Sequence, residues 1–193
     1  MNALKTFAGV ALVSSSLAAA QAVAQEKFYA GGSIGSSSID ESIAAGLIDS
    51  GTVDGNSNGF KVFGGYRFNP NFALELAWVD LGKASYSGTF AGAPVTGGQV
   101  KVSGLNMSAV ALHPVNPDFE LFAKAGLFAW GAKASDTTGG LPFSGTNDGV
   151  NLSLGIGANY YFTRNVGARI EWEHFSLDSD KASMLSAGII VKF

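Results

Sequence analysis

The chain of 193 residues has no cysteine, only two histidines and few charges, since 14% of its residues are Asp, Glu, Lys or Arg. Without cysteine, neither a disulfide framework nor a thiolate metal site can form. The two histidines lie far apart in the sequence, so we expect no bound metal, and no motif indicates a cofactor. Because 12 basic side chains stand against 15 acidic ones and no basic patch is visible, nucleic acid is not an expected partner.

Long apolar runs are also scarce. After the first two dozen residues no stretch of about 18 apolar residues occurs, so no helix of the mature chain is expected to cross a bilayer. The sequence is nevertheless 47% hydrophobic, with 26 glycines and 14 phenylalanines. If this chain meets a membrane, we expect it to do so as β-strands.

The first 24 residues have the pattern of a secretory signal peptide. Lys5 supplies a positive charge, residues 6–20 form a small apolar stretch, and Ala22-Val23-Ala24 fits the small-x-small site of a signal peptidase. The alternative is an N-terminal membrane anchor, but the apolar stretch is short and weakly hydrophobic. We therefore predict a cleaved signal peptide over residues 1–24 and a barrel domain over residues 25–193.

The mature sequence alternates with a period of two. Within residues 166–175, for example, Ile170 and Trp172 share one face and Arg169 and Glu171 share the other. Eight such segments are predicted as strands, over residues 27–36, 58–68, 72–83, 101–113, 119–131, 150–162, 166–176 and 184–193.

The connections between these segments alternate between short and long. The short ones cover residues 69–71, 114–118 and 163–165, and the long ones cover 37–57, 84–100, 132–149 and 177–183. This order is typical of an up-and-down barrel with brief turns at one rim and loops at the other. Loop 37–57 carries four acidic and no basic residues, so we expect a solvated acidic surface there.

The two faces of the predicted strands indicate which kind of barrel this is. One face is apolar and uncharged, whereas the other carries the charges between glycines. A soluble lipocalin-like barrel would bury those charges, at several kcal/mol each unless they are paired. We therefore predict an all-β fold, an eight-stranded antiparallel up-and-down transmembrane β-barrel with its apolar face in lipid. The expected interior polar network comprises Glu75, Lys124, Asn159, Arg169 and Glu171.

Aromatic residues fall near the ends of the predicted strands, where a membrane barrel has its interfacial girdles. Six are predicted girdle residues: Phe28, Tyr66, Phe68 and Tyr160 near the short-turn rim, and Trp78 and Trp172 toward the long-loop rim.

The final ten residues, MLSAGIIVKF, form the last predicted strand, which must pair with the first to remove an open sheet edge. Ser186-x-Gly188-x-x-Val191-x-Phe193 resembles the C-terminal signal that the barrel assembly machinery reads in outer-membrane proteins. Val191 occupies a position where an aromatic residue is more usual.

Four segments together resemble the transmembrane domain of the OmpA family. They are FGGYRFNPNFALELAWVDLGK (63–83), GLNMSAVALHPV (104–115), YYFTRNVGARIEWE (160–173) and MLSAGIIVKF (184–193). The resemblance implies a barrel in the outer membrane of a Gram-negative bacterium, with short turns in the periplasm, four loops outside the cell and lipopolysaccharide around it. The family's periplasmic peptidoglycan-binding domain is not expected in this chain.

The same resemblance assigns interior positions and shows two departures. Glu75 and Arg169 match inward charged positions of the family, and Lys124 stands where the family has an inward Arg. Val110 replaces an inward Lys, and Asn159 replaces an inward Glu. A lysine-to-glutamate gate of the family's kind is therefore not expected here.

Three functions follow as hypotheses. The first is a structural or surface-exposed role, in envelope integrity, adhesion or as an antigen, with a plugged interior and a possible extracellular ligand on the loops. The second is a narrow, low-conductance channel. The third, an enzyme similar to lipid A deacylases, depends on His174-Phe175-Ser176, but Leu177 replaces the Asn that follows in that family and no Glu lies nearby to orient the imidazole. We expect no enzyme activity.

Overall fold

The computed structural model describes residues 27–39, 50–138, 141–178 and 180–193, and these form nine β-strands. The strands are β1 (Phe28–Ile39), β2 (Ser50–Asp54), β3 (Asn56–Asn69), β4 (Phe72–Phe90), β5 (Ala93–Pro114), β6 (Phe119–Thr138), β7 (Leu141–Tyr161), β8 (Val166–Leu177) and β9 (Asp180–Lys192). No helix among these residues is long and apolar enough to cross a membrane. The predicted signal peptide lies outside the described residues.

Eight of the strands close into a ring. β1 pairs antiparallel with β3, and each of β3 to β8 pairs antiparallel with the next strand. β9 then returns to β1 through eleven register pairs, from Tyr29↔Lys192 to Ile39↔Ala182. Short β2 pairs with the outer part of β4, beyond the segment that β3 covers. Closure leaves no unpaired sheet edge around the ring, and it confirms the predicted eight-stranded antiparallel barrel.

The strands on the long-loop side are longer than predicted. The predicted loop 84–100 is wrong, because β4 and β5 continue through it to a two-residue turn at Ala91–Gly92, where φ is 50° and 78°. Two positive φ values are typical of the turn that matches the twist of a hairpin. Loop 132–149 is likewise mostly strand, in β6 and β7, and parts of 37–57 and 177–183 belong to strands.

These extensions have a different outward face from the rest of the barrel. Along the predicted segments, the outward residues are exposed apolar side chains such as Leu76, Leu127 and Ile156. On the extensions they are polar, as at Ser85 and Gln99. Lipid covers apolar side chains favourably whereas water does not, so an apolar belt marks the membrane and the extensions project beyond it.

The interior of the ring has two layers of side chains. Nearer the short turns lies a charged layer: Lys61, Arg67, Glu75, Glu120, Lys124, Asn159, Arg169, Glu171 and Glu173. Toward the extensions lies an apolar layer: Ile39, Val79, Leu81, Val102, Phe128, Phe175, Leu177 and Met184, each at most 2% exposed.

Candidate functional site in the barrel interior

Lys124 on β6 holds the centre of the charged layer. Its Nζ lies 2.6 Å from Oε1 of Glu171 and 3.3 Å from Oε1 of Glu75, and it also contacts Glu173. Gly155 on the paired strand makes room for it, because a Cβ at that position would lie 2.9 Å from the Lys124 Cε atom. One buried ammonium group therefore binds three carboxylates.

Lys61 on β3 shares two of those carboxylates. Its Nζ contacts Glu171 and lies 2.5 Å from Oε2 of Glu173. The side chains of all three residues are at most 1% exposed. Glu171 and Glu173 have the same parity on β8, so both point into the ring, and each is held between two lysines.

Glu75 connects this cluster to Arg169. Nη1 of Arg169 lies 2.7 Å from Oε2 of Glu75, and the Tyr29 hydroxyl donates a hydrogen bond of 3.0 Å to the same oxygen. The Arg169 guanidinium also lies 4.3 Å from the ring centroid of Phe63 and 4.5 Å from that of Phe122. A planar cation between two rings gains from cation–π attraction as well as from its ion pair.

Asn159 extends the network toward the short-turn rim. It accepts a hydrogen bond of 2.9 Å from Nε of Arg169 and donates one of 2.8 Å to Oε1 of Glu120. Glu120 in turn receives two hydrogen bonds from Arg67, of 2.8 and 2.6 Å. The neutral amide thus bridges a cation and a carboxylate, which a glutamate at this position could not do because it has no donor when ionised.

The charged layer balances once Glu120 is included. Lys61, Arg67, Lys124 and Arg169 oppose Glu75, Glu120, Glu171 and Glu173. Glu120 is missing from the predicted interior network because it lies beside the turn, although it shares the inward parity of Lys124 on β6. The other inward cation, Lys192, has its ammonium 3.4 Å from the ring centroid of Tyr161.

The apolar layer lies next to the charged layer on the side of the strand extensions, and it is closely packed. The rings of Phe128 and Phe175 are fully buried with centroids 4.6 Å apart. A Cβ on Gly59 would lie 3.3 Å from the terminal methyl of Met184, which reaches from β9 toward β3. Two polar residues are buried beside these rings: Asn106, the register partner of Phe128, accepts a hydrogen bond of 2.7 Å from the hydroxyl of Ser153, the register partner of Phe175. The layer is nevertheless mainly apolar, and it separates the charged layer from the outer mouth of the barrel.

A polar contact joins the inner faces of the two long hairpins. The Tyr86 hydroxyl on β4 donates a hydrogen bond of 2.7 Å to Oδ2 of Asp136 on β6. Burial raises the pKa of Tyr86, and the hydrogen bond and negative charge of Asp136 raise it further. The hydroxyl therefore stays protonated and able to donate at neutral pH.

The predicted girdle residues lie on the outer surface near the ends of the apolar belt. The Phe28 ring lies 5.0 Å from that of Tyr66, which lies 5.2 Å from that of Phe68. Tyr160, Trp78 and Trp172 are half exposed on the same outward face. Their role as membrane-interface anchors stays a prediction.

The residues of the predicted assembly signal divide between the two faces. Ser186 is buried opposite Glu171, and Gly188 lies opposite Arg169. Val191 points outward like Phe193. Phe193 exchanges backbone hydrogen bonds of 3.0 and 2.8 Å with Phe28. Their role in assembly stays a prediction.

His174 lies at the outer surface, away from the charged layer. It is partly exposed, and its ring stacks on that of Trp172 with centroids 6.1 Å apart. Neither an ion pair nor a hydrogen bond joins it to a carboxylate in the described part of the chain. The described residues also contain no group of three or more His, Cys, Asp or Glu that could hold a metal ion.

Comparison with known proteins finds the same architecture. The family model for the OmpA-like transmembrane domain matches residues 23–193. Outer membrane protein A of Yersinia pseudotuberculosis is 27% identical over 194 residues, covering 95% of this chain and 53% of that protein. Outer membrane protein A of Salmonella typhi is 28% identical over 166 residues, covering 85% and 45%. The chain spans about half the length of the curated relatives it matches.

Two solved structures share the fold. Ail, the attachment invasion locus protein of Yersinia pestis, is 20% identical with a TM-score of 0.58, covering 88% of this chain and 100% of that one. Neisserial surface protein A is 18% identical with a TM-score of 0.60, covering 86% and 97%. At such identities these structures support the fold alone.

Proposed function

Because the chain belongs to the OmpA-like transmembrane domain family and to the Gram-negative outer membrane, we propose that it is a closed structural barrel that presents two long hairpins at the cell surface. The interior carries this proposal. The charged layer is neutral and paired throughout, and the apolar layer covers it. The ring of an eight-stranded barrel is just wide enough for its own side chains.

The alternative, a narrow channel, finds less support in this interior. An ion crossing the barrel would first have to displace paired charges and then pass a layer lined mainly by tightly packed apolar side chains. Apolar constrictions of this kind exclude water and ions. The glutamates and the two arginines of the charged layer are therefore proposed to stabilise the barrel and not to form a pathway.

Single-channel recording of the refolded protein tests this proposal. We expect no steady openings from the wild-type barrel, and none from Glu75→Ala or Arg169→Ala, whose effect should be a loss of stability. A Ser85→Ala variant, changed on the exposed outer face, is the control. Steady openings whose conductance changes with Glu75 or Arg169 but not with Ser85 would contradict the closed barrel and favour the channel.

A second role, contact with an extracellular ligand, is favoured by the hairpins. The β4–β5 and β6–β7 hairpins extend beyond the apolar belt as paired strands, held together on their inner face by the Tyr86–Asp136 contact. Paired strands are a more rigid platform for recognition than mobile loops. Among the proteins that share the fold, Ail of Yersinia pestis is known in complex with a heparin analogue, sucrose octasulfate.

Shortening the hairpins tests this second role. Tyr86 and Gly98 are register partners, so residues 87–97 can be replaced by an Asn-Gly turn that preserves the strand pairing. Bacteria carrying this variant should bind immobilised matrix glycans and proteins several-fold less, at equal surface levels. A second variant replaces residues 136–143, between the register partners Ser135 and Ser144, by the same turn; it shortens the other hairpin and removes Asp136, the partner of Tyr86, so it should also lower binding. Unchanged binding in both variants would contradict a ligand site on the hairpins.

A further inference from the structure

Three lysines form a row across adjacent strands on the outer surface. Lys83 on β4 is the register partner of Lys101 on β5, and Lys101 is the register partner of Lys133 on β6. All three are exposed and share the outward face. Adjacent strands lie about 4.8 Å apart, so the backbone positions of the three lysines span about 10 Å across the sheet.

This lysine row lies where the apolar belt ends. Trp78, Leu105 and Ala129 are outward residues of the belt on the same three strands, and the lysines follow them toward the hairpins. Belt and row meet in a groove of about 490 Å³, lined by Trp78, Leu105 and Ala129 at one end and by Lys101 and Lys133 at the other. The groove therefore offers an apolar surface and a cationic surface to a single ligand.

Among the described residues, the charges of the row are only partly neutralised. Lys101 lies 2.8 Å from Oδ2 of Asp80, while neither Lys83 nor Lys133 forms an ion pair within the described residues. Asp148 also lines the groove. Like charges directly opposite each other on neighbouring strands destabilise a sheet, so a bound anion would stabilise this part of the barrel.

We propose that the groove binds a phosphorylated glycolipid of the outer leaflet, with its phosphates on the lysine row and an acyl chain against the apolar end. The inference rests on the outer-membrane placement given under the proposed function and does not depend on whether the interior is closed. A lipid fits better than a soluble polyanion because the row lies at the membrane boundary and its groove continues onto the lipid-facing surface. A soluble polysaccharide would use the charges alone.

The test measures binding of rough lipopolysaccharide to the barrel in nanodiscs of neutral phosphatidylcholine. The main variant is Lys83→Gln/Lys133→Gln, which leaves the Lys101–Asp80 pair intact. A basic side chain near an anionic surface is worth about five-fold in affinity, so we expect the double variant to bind about 25-fold more weakly. Lys27→Gln/Arg164→Gln, the same charge change at the opposite rim, should bind like the wild type.

Two further ligands identify what the row recognises. The same lipopolysaccharide stripped of its phosphates should bind the wild-type barrel as weakly as intact lipopolysaccharide binds the double variant. A heparin oligosaccharide should not displace intact lipopolysaccharide. The proposal would be overturned if the double variant bound intact lipopolysaccharide as tightly as the wild type does, or if the wild type bound the stripped and intact forms equally well. Displacement by heparin would also overturn it and would assign the row to a soluble acidic polysaccharide. Single-channel recording reports on the closed barrel separately.

Discussion

Replacing Lys124 with methionine is expected to lower the free energy of unfolding by about 3–5 kcal/mol, because removing one partner of a buried ion pair leaves uncompensated charge. The ammonium group of Lys124 contacts Glu75, Glu171 and Glu173. In the variant, only two cations of this cluster, Lys61 and Arg169, would remain to neutralise these three carboxylates. Urea unfolding of the refolded barrel in detergent micelles, followed by tryptophan fluorescence, measures the change.

Two further variants separate the loss of charge from the loss of a long side chain. Lys133→Met removes an exposed lysine from the same strand, and we expect a change within about 0.5 kcal/mol. Lys124→Met/Glu173→Gln removes one charge of each sign and should recover at least half of the lost stability. If Lys124→Met lowers the free energy of unfolding no more than Lys133→Met does, or if the double variant is no more stable than Lys124→Met, then paired charges in this layer do not stabilise the barrel.

The fold could be predicted from the sequence because a membrane barrel is specified by parity. A period of two assigns every strand residue to one of two faces, and only one face of this chain is free of charge. The assignment of Leu76 and Trp78 to the lipid face and of Glu75 to the interior needed no knowledge of neighbouring strands. The outer-membrane location followed from the same pattern and from four segments that resemble one family.

The parts that could not be predicted depend on what lies across the ring. Parity places Lys61 and Glu171 inside, but it does not show that residues 110 positions apart in sequence make contact. The extensions of β4 and β5 were not predicted because their outward face is polar. In the membrane segments, apolar outward residues alternate with charged inward ones, whereas in the extensions polar outward residues such as serine and glutamine alternate with inward Tyr86 and Val100. Beyond the membrane, a strand no longer needs an apolar outer face, and its sequence resembles that of a loop.

The apolar layer leads to the second large effect, since a cavity there should be costly. Phe128→Ala is expected to lower the free energy of unfolding by about 3–5 kcal/mol, as truncation of a fully buried phenylalanine generally does. The ring of Phe128 packs against that of Phe175 at 4.6 Å between centroids, and neither side chain is exposed. The surrounding strands are joined in a closed ring, which limits how far they can move inward to fill the space.

The matched control is Phe162→Ala, which removes the same ring from the outer surface, where Phe162 is 60% exposed and its loss leaves no internal cavity. Urea unfolding should show a clearly smaller effect for this variant. Phe175→Ala should resemble Phe128→Ala, and the double variant should cost less than the sum of the two, because both remove the same ring contact. Additive losses, or equal losses for Phe128→Ala and Phe162→Ala, would mean that the apolar layer is not a packed core. The charged layer would then be open to the outer mouth of the barrel, and the interior would not be closed.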